Sequence, residues 1–146
     1  MDINRFTEKA QEALADANRR ATRNGQPQVD VEHLLVALLD QDGGLAPSIL
    51  RKANINVENL RRRAEEEVER LPKVSSSGGE PDRVSITGRL NRVLTRAEDE
   101  AKRMKDDYVS VEHVLLAVGE EVVGAHARDQ QRNRNALQRA RHRVVR

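Results

Sequence analysis

The chain of 146 residues has no cysteine and no tryptophan, and only one phenylalanine and one tyrosine. Without cysteine there are no disulfides and no thiol chemistry, which suits a reducing compartment, and a cytoplasmic location is expected. No apolar run approaches the roughly 20 residues needed to cross a bilayer, so no membrane association is expected. The first residues are polar and do not read as a signal peptide. No Gly-x-x-x-x-Gly-Lys-[Ser/Thr] loop occurs, which excludes ATP hydrolysis by that device. Nor is there a nucleophile elbow or a credible metal-ligand set. The chain is therefore read as non-catalytic, with no cofactor and no metal.

Apolar residues make up 37% and charged residues 34%. With so few rings, any core must be built from Leu, Val, Ile and Ala. Ala and Leu favour helices, and long charged side chains are tolerated on them. The composition indicates an all-α fold in a single domain. The net charge of +2 is unevenly spread, because residues 122–146 carry seven Arg against one Asp. Such a basic segment can touch nucleic acid or acidic surfaces non-specifically. The acidic remainder and the lack of base-stacking rings count against nucleic acid as a partner.

Shifting the chain by 80 positions aligns it with itself without gaps over a long stretch. Residues 29–37, Val-Asp-Val-Glu-His-Leu-Leu-Val-Ala, fall on residues 109–117, Val-Ser-Val-Glu-His-Val-Leu-Leu-Ala, and six of the nine pairs are identical. Upstream, Thr7, Leu14, Ala17, Ala21 and Arg23 fall on Thr87, Leu94, Ala97, Ala101 and Arg103. Each unit opens with apolar residues at helical spacing, Phe6 to Ala21 in the first and Ile86 to Ala101 in the second. Thr7 and Thr87 are placed to cap these helices. Asp30 and Ser110 are placed to cap the next, with Glu32 and Glu112 in the first turn, where the helix dipole favours an acid. In the first unit Gly43-Gly44 breaks the chain. A short helix over Pro47–Ala53 follows, and then a last helix capped by Asn56.

The expected organisation is one compact domain over residues 1–146, a tandem pseudo-two-fold repeat of a four-helix unit with about eight helices. Repeat one spans 6–71, a Ser/Gly/Pro linker spans 72–85 and repeat two spans 86–146. The second repeat is atypical after Glu121. Arg132 and Arg134 stand in the places of Ile55 and Val57 once three residues are deleted, and Gly119 stands where Leu39 does. Unpaired charges are costly to bury, so completion of this repeat by a packed last helix is in doubt.

The opening Met1-Asp2-Ile3-Asn4-Arg5-Phe6-Thr7-Glu8-Lys9-Ala10, the twin Glu-His-[Leu/Val]-Leu motifs and the Leu71-Pro72 start of the linker resemble the Clp N-terminal repeat domain. The likeness runs from residue 1 to about 121. The Met-Asp opening and the long Ser/Gly linker favour the ClpB type of protein disaggregase over the ClpA or ClpC types. The resemblance implies a module that captures unfolded or aggregated polypeptides, or adaptor proteins, for threading by hexameric AAA+ rings absent from this chain. By the same resemblance Thr7, Asp106 and Glu112 are candidate substrate-binding residues. A ClpC-like use would instead bring the symmetry-related acids Glu32 and Glu112 to phosphorylated arginine, each gripping the guanidinium by paired hydrogen bonds. A stand-alone interaction protein with an Arg-rich tail is a third reading.

The residues themselves add less. Glu32-His33 and Glu112-His113 invite a metal or acid–base reading, but zinc usually takes three or more protein ligands and the other histidines, His126 and His142, lie in the basic tail. Thr7 and Glu112 also have purely structural uses, as a cap and a first-turn acid. Phe6 and Tyr108 are the only large rings available to line a partner groove.

Overall fold

The computed structural model describes residues 2–74 and 84–144. A single 3-10 turn at Ile3–Arg5 leads into helix α1 (Glu8–Arg23), followed by strand β1 (Gln28–Val29), α2 (Val31–Leu39), α3 (Leu45–Lys52) and α4 (Val57–Arg70). The second half holds strand β2 (Ser85–Ile86), α5 (Gly88–Arg103) and α6 (Val111–Val144). The fold is all-α as expected. The described residues hold seven helical elements, counting the 3-10 turn, against about eight anticipated.

Local chemistry explains where the helices begin. Thr7 Oγ1 accepts from the Ala10 N–H at 3.3 Å, and Thr87 Oγ1 accepts from the Leu90 N–H at 3.1 Å. Asn56 caps α4 by accepting from the Asn59 N–H at 3.0 Å. Gly43 takes a left-handed φ of 62° in the break before α3, a conformation that favours glycine.

The two halves are joined by strand pairs that sequence periodicity did not reveal. β1 and β2 run parallel, with Val29 opposite Ile86. Phe6 forms a second parallel bridge with Val109. Adding 80 to the first residue of one pair and subtracting 80 from the second returns the other pair, since Phe6 corresponds to Ile86 and Val29 to Val109. The residue before the first helix of each unit therefore pairs with the residue before the second helix of the other. Hydrogen bonds repeat the relation, from the Thr7 N–H to the Val109 carbonyl (2.9 Å) and from the Thr87 N–H to the Val29 carbonyl (3.1 Å). These strands are two residues long because they only stitch one capping turn to another.

One main core forms around this pseudo-two-fold axis. α1 contributes four alanines, Ala10, Ala13, Ala17 and Ala21, and α5 contributes Leu90, Val93, Leu94, Ala97 and Ala101. The small α1 side chains allow close approach, while Leu34, Leu38, Leu90 and Leu94 fill the volume between. The buried residues of two smaller clusters belong to the first unit, and Leu115 of the second unit packs against one of them. Val36 packs with Ala64 and Val68 of α4, and Leu39 packs with Leu50 of α3 and Val57 of α4.

The second unit departs where the sequence does. α6 runs for 34 residues without interruption, so the third and fourth helices of a complete unit are absent there. Repeat one turns at Gly43-Gly44, but Gly119 and Gly124 are isolated glycines and no proline follows Pro81. A lone glycine costs a helix about 1 kcal/mol, too little to stop it. Arg132 and Arg134 avoid burial by remaining on an exposed helix surface. Most of the expected linker, residues 75–83, lies outside the described residues. Its flanks are pinned, because the Val74 N–H donates to the Gly25 carbonyl at 2.8 Å and the Ser85 N–H donates to the Pro27 carbonyl at 3.2 Å.

Candidate functional site

The Glu-His pair at the start of each second helix separates into two jobs. His33 Nδ1 accepts from the Asp30 N–H at 2.9 Å, closing a capping box in which histidine takes the place usually held by Glu or Gln. Its Nε2–H then donates to Gln26 Oε1 at 2.6 Å, and Gln26 Nε2 donates to the Val68 carbonyl at 2.6 Å. The second unit repeats the arrangement, with the Ser110 N–H donating to His113 Nδ1 and His113 Nε2 meeting Asp106 Oδ2, both at 2.9 Å. Gln26 and Asp106 are again 80 positions apart. Each histidine ties a helix start to the preceding loop. Burial holds the His33 pKa below its usual 6.5, against the opposing pull of Asp30 and Glu32, so folding favours the neutral ring.

The acids of the two motifs differ in their surroundings. Glu32 Oε1 accepts from Arg89 at 2.9 Å, and Arg89 also stands 3.5 Å from Asp30. Asp30 further accepts from the Thr87 hydroxyl at 2.9 Å. Glu32 is therefore committed to the joint between the units. Glu112 is exposed, and among the described residues no cation pairs with it.

The other sequence candidates are spread out. Thr7 is half-buried and occupied as a cap, with its N–H bonded across the joint. Asp106 is exposed and holds His113. No hydrogen bond or ion pair joins Thr7, Asp106 and Glu112 to one another among the described residues. Phe6 does not line a groove: it is 2% exposed, because its bridge to Val109 turns the ring into the main core. Tyr108 is 59% exposed on the loop before α6, and it is not part of the open groove nearby.

That groove is an open apolar feature of the described surface, about 970 Å³ between α3 and α6. Ile49 and Leu50 of repeat one form one wall, and Leu115 and Leu116 of repeat two form the other. Gly119 leaves its floor open, Gly124 lines it beneath the Arg128 guanidinium, and Glu112 and Glu120 stand at its polar edge. Symmetry explains why it exists. Val36 is 2% exposed beneath α4, whereas its counterpart Leu116 is 46% exposed. Leu39 fills its position against Leu50 and Val57, whereas a Cβ placed on Gly119 would meet nothing within 4 Å. The substitution of Leu39 by Gly119 was visible in the sequence, and in three dimensions it reads as an opening.

Past the groove, Glu121 is fully buried and accepts from three arginines, Arg92 at 3.1 Å, Arg96 at 3.2 Å and Arg128 at 3.4 Å. Burial alone would raise its pKa, but the Arg92 hydrogen bond and the three positive charges hold it below 4.5. Among the described residues no group of three or more His, Cys, Asp or Glu side chains could hold a metal ion. No described helix is long and apolar enough to cross a membrane.

Comparison with known proteins places this geometry in a family. The model of the Clp repeat (R) N-terminal domain matches residues 5–131. The chain is 44% identical over 121 residues to the chaperone protein ClpB of Bacillus cereus, covering 83% of this chain and 14% of that protein. It is 42% identical over 133 residues to ClpB of Nitratidesulfovibrio vulgaris, covering 88% and 15%. The chain thus spans about one seventh of the length of these curated relatives. In fold it is similar to the Hsp104 N-terminal domain from Candida albicans, with a TM-score of 0.72 at 23% identity, covering 81% of this chain and 75% of that one. It is also similar to a ClpV N-domain solved in complex with a VipB peptide, with a TM-score of 0.64 at 18% identity, covering 79% and 68%.

Proposed function

Because the chain belongs to the Clp repeat (R) N-terminal domain family, we propose that it is the substrate-binding N-terminal module of a ClpB-like chaperone. Its groove between α3 and α6 takes extended apolar stretches of unfolded or aggregated polypeptide, or of an adaptor. The observation that carries this is the groove itself, an open apolar surface made from both repeats and edged by two carboxylates. Contiguous exposed apolar surface on a small domain is a usual mark of a protein-binding site. Backbone of an extended client can approach closely over Gly119, where no side chain intervenes. Glu112 and Glu120 would hold amide-bearing or basic residues flanking the apolar stretch. A ClpV N-domain of this fold has been solved with a VipB peptide, and a similar use is extended here to this chain.

Affinity at one groove is expected to be weak, because presentation on a hexamer would multiply single-site binding. In such a parent, AAA+ rings would thread the captured chain. The phosphoarginine alternative is less favoured, because Glu32 already serves Arg89 and leaves only Glu112 of the symmetric pair open.

Titration of a labelled, permanently unfolded polypeptide tests the proposal. Gly119→Leu restores the residue of repeat one, so it should fill the groove and weaken binding at least about tenfold, while helix propensity raises stability by about 1 kcal/mol. Glu112→Ala should weaken binding severalfold. Thr7→Ala and Asp106→Ala should act only through stability, the former costing about 1 kcal/mol as a lost cap. Unchanged binding in Gly119→Leu would remove the groove from the site.

A further inference from the structure

The internal repeat says what belongs on the bare face of α6. In repeat one the equivalent face of α2 is covered by α4, through Val36 against Ala64 and Val68, and Leu39 against Val57. Kept ungapped, in place of the three-residue deletion that sets Val57 on Arg134, the shift of 80 sets Val57, Leu60 and Ala64 of α4 on Leu137, Ala140 and Val144. The apolar stripe of the covering helix therefore persists in the sequence. It lies at the far end of α6, where Leu137 is 66% exposed.

Geometry keeps this stripe from its own groove. Leu116 and Ala140 lie on the same uninterrupted helix, and 24 residues at ~1.5 Å each put them about 36 Å apart. A straight helix cannot cover itself. A second copy can supply the segment, and the exchange is reciprocal, because each molecule has one open groove and one projecting stripe. Such an isologous arrangement closes as a two-fold dimer.

We propose that the C-terminal half of α6, around Leu137 and Ala140, docks in the α3–α6 groove of a second copy of this chain and stands there as the missing α4 of repeat two. Charge supports the pairing. Arg134, Arg139 and Arg141 flank the stripe, and the groove carries Glu112 and Glu120, which pair with no cation among the described residues. The exchanged helix thus completes a unit that is incomplete in the isolated chain. Where clients use the same groove, the exchange competes with them, but the dimer does not depend on client binding.

Because the chain has no cysteine, crosslinking has no background. Gly119→Cys with Leu137→Cys in one chain, the counterparts of the Leu39–Val57 contact, oxidised at micromolar concentration, should give a covalent dimer of twice 16.5 kDa joined through the 119–137 peptide pair. A monomeric 119–137 disulfide would show that α6 breaks and folds back, and would overturn the exchange. Absence of the 119–137 pair would overturn it too. As a second measurement, Leu137→Glu should weaken self-association in sedimentation by about 10- to 100-fold, the loss expected for one leucine removed from an apolar contact. Leu137 is exposed in the single chain, so the helical spectrum should be unaltered. Unchanged sedimentation of that variant would contradict the proposal.

Discussion

His33→Ala is expected to destabilise the domain by about 3 kcal/mol, and His113→Ala by about 1 kcal/mol, although the two residues occupy the same position of the repeat. His33 is fully buried and bonded on both ring nitrogens. Its loss leaves the Asp30 N–H without a partner and Gln26 Oε1 with only a long bond from Asn24 Nδ2 at 3.5 Å, in a buried setting where an unmet group costs about 1–3 kcal/mol, and empties the volume of a ring. His113 is buried too, but Asp106 is exposed and can turn to water when the ring is removed. In a chain of this size the difference should appear as a gap of roughly 5 °C between the two thermal midpoints. Equal losses would mean that the Gln26–Val68 connection adds nothing.

The same residue sets a pH dependence. The folded His33 pKa lies below the unfolded 6.5, so the unfolded chain takes up a proton first as pH falls. His33 therefore stabilises the fold above pH 6.5, and that contribution is lost progressively as pH falls through 6.5 towards the folded value. His33→Gln keeps a polar side chain at the same capping position and should flatten this part of the stability profile. Denaturant midpoints measured between pH 7.5 and 5.5 provide the comparison.

Glu121→Ala is expected to cost about 2 kcal/mol, because it removes a buried carboxylate bonded to three arginines. The estimate stays below that for a fully buried ion pair because all three arginines reach solvent and can rehydrate. Their mutual repulsion would remain, so added salt should recover part of the loss. The sign with acid is opposite in origin to ordinary repulsion. A pKa held below 4.5 means that Glu121 stabilises the fold above that value and loses its effect as pH falls through the folded pKa. Urea denaturation of Glu121→Ala at low and high salt measures both effects. No loss at low salt would show that the cluster does not stabilise the start of the long helix.

Much of this architecture could be read from the chain because each repeat states it twice. Thr7, Thr87 and Asp30 cap, and the apolar positions of the first helices fall on one helical face in both units. The parallel bridges could not be read, since two-residue strands carry no periodicity and arise only when the units meet. The histidines were visible as part of a motif, but the usual capping box has Glu or Gln at the third helical position, and that pattern does not include histidine. The scarcity of rings makes Phe6 a groove candidate, but strand pairing turns it into the core. The groove left one trace in the sequence, glycine at 119 where the first unit has leucine, and its meaning depended on the path of α6. Arg132 and Arg134 put a packed last helix of repeat two in doubt, and both are carried exposed on a continuous α6, because no proline or paired glycine in residues 118–130 ends it.

The central claim is that the face of α6 left bare by the incomplete second repeat is the binding surface. The most direct measurement is a titration of the isotope-labelled domain with a reduced, alkylated and permanently unfolded polypeptide, followed at each backbone amide. The expected result is perturbation of Ile49, Leu50, Glu112, Leu115, Leu116 and Gly119, abolished in Gly119→Leu. Perturbations centred on Thr7, Asp106 and Tyr108, or a response undiminished in Gly119→Leu, would contradict the claim.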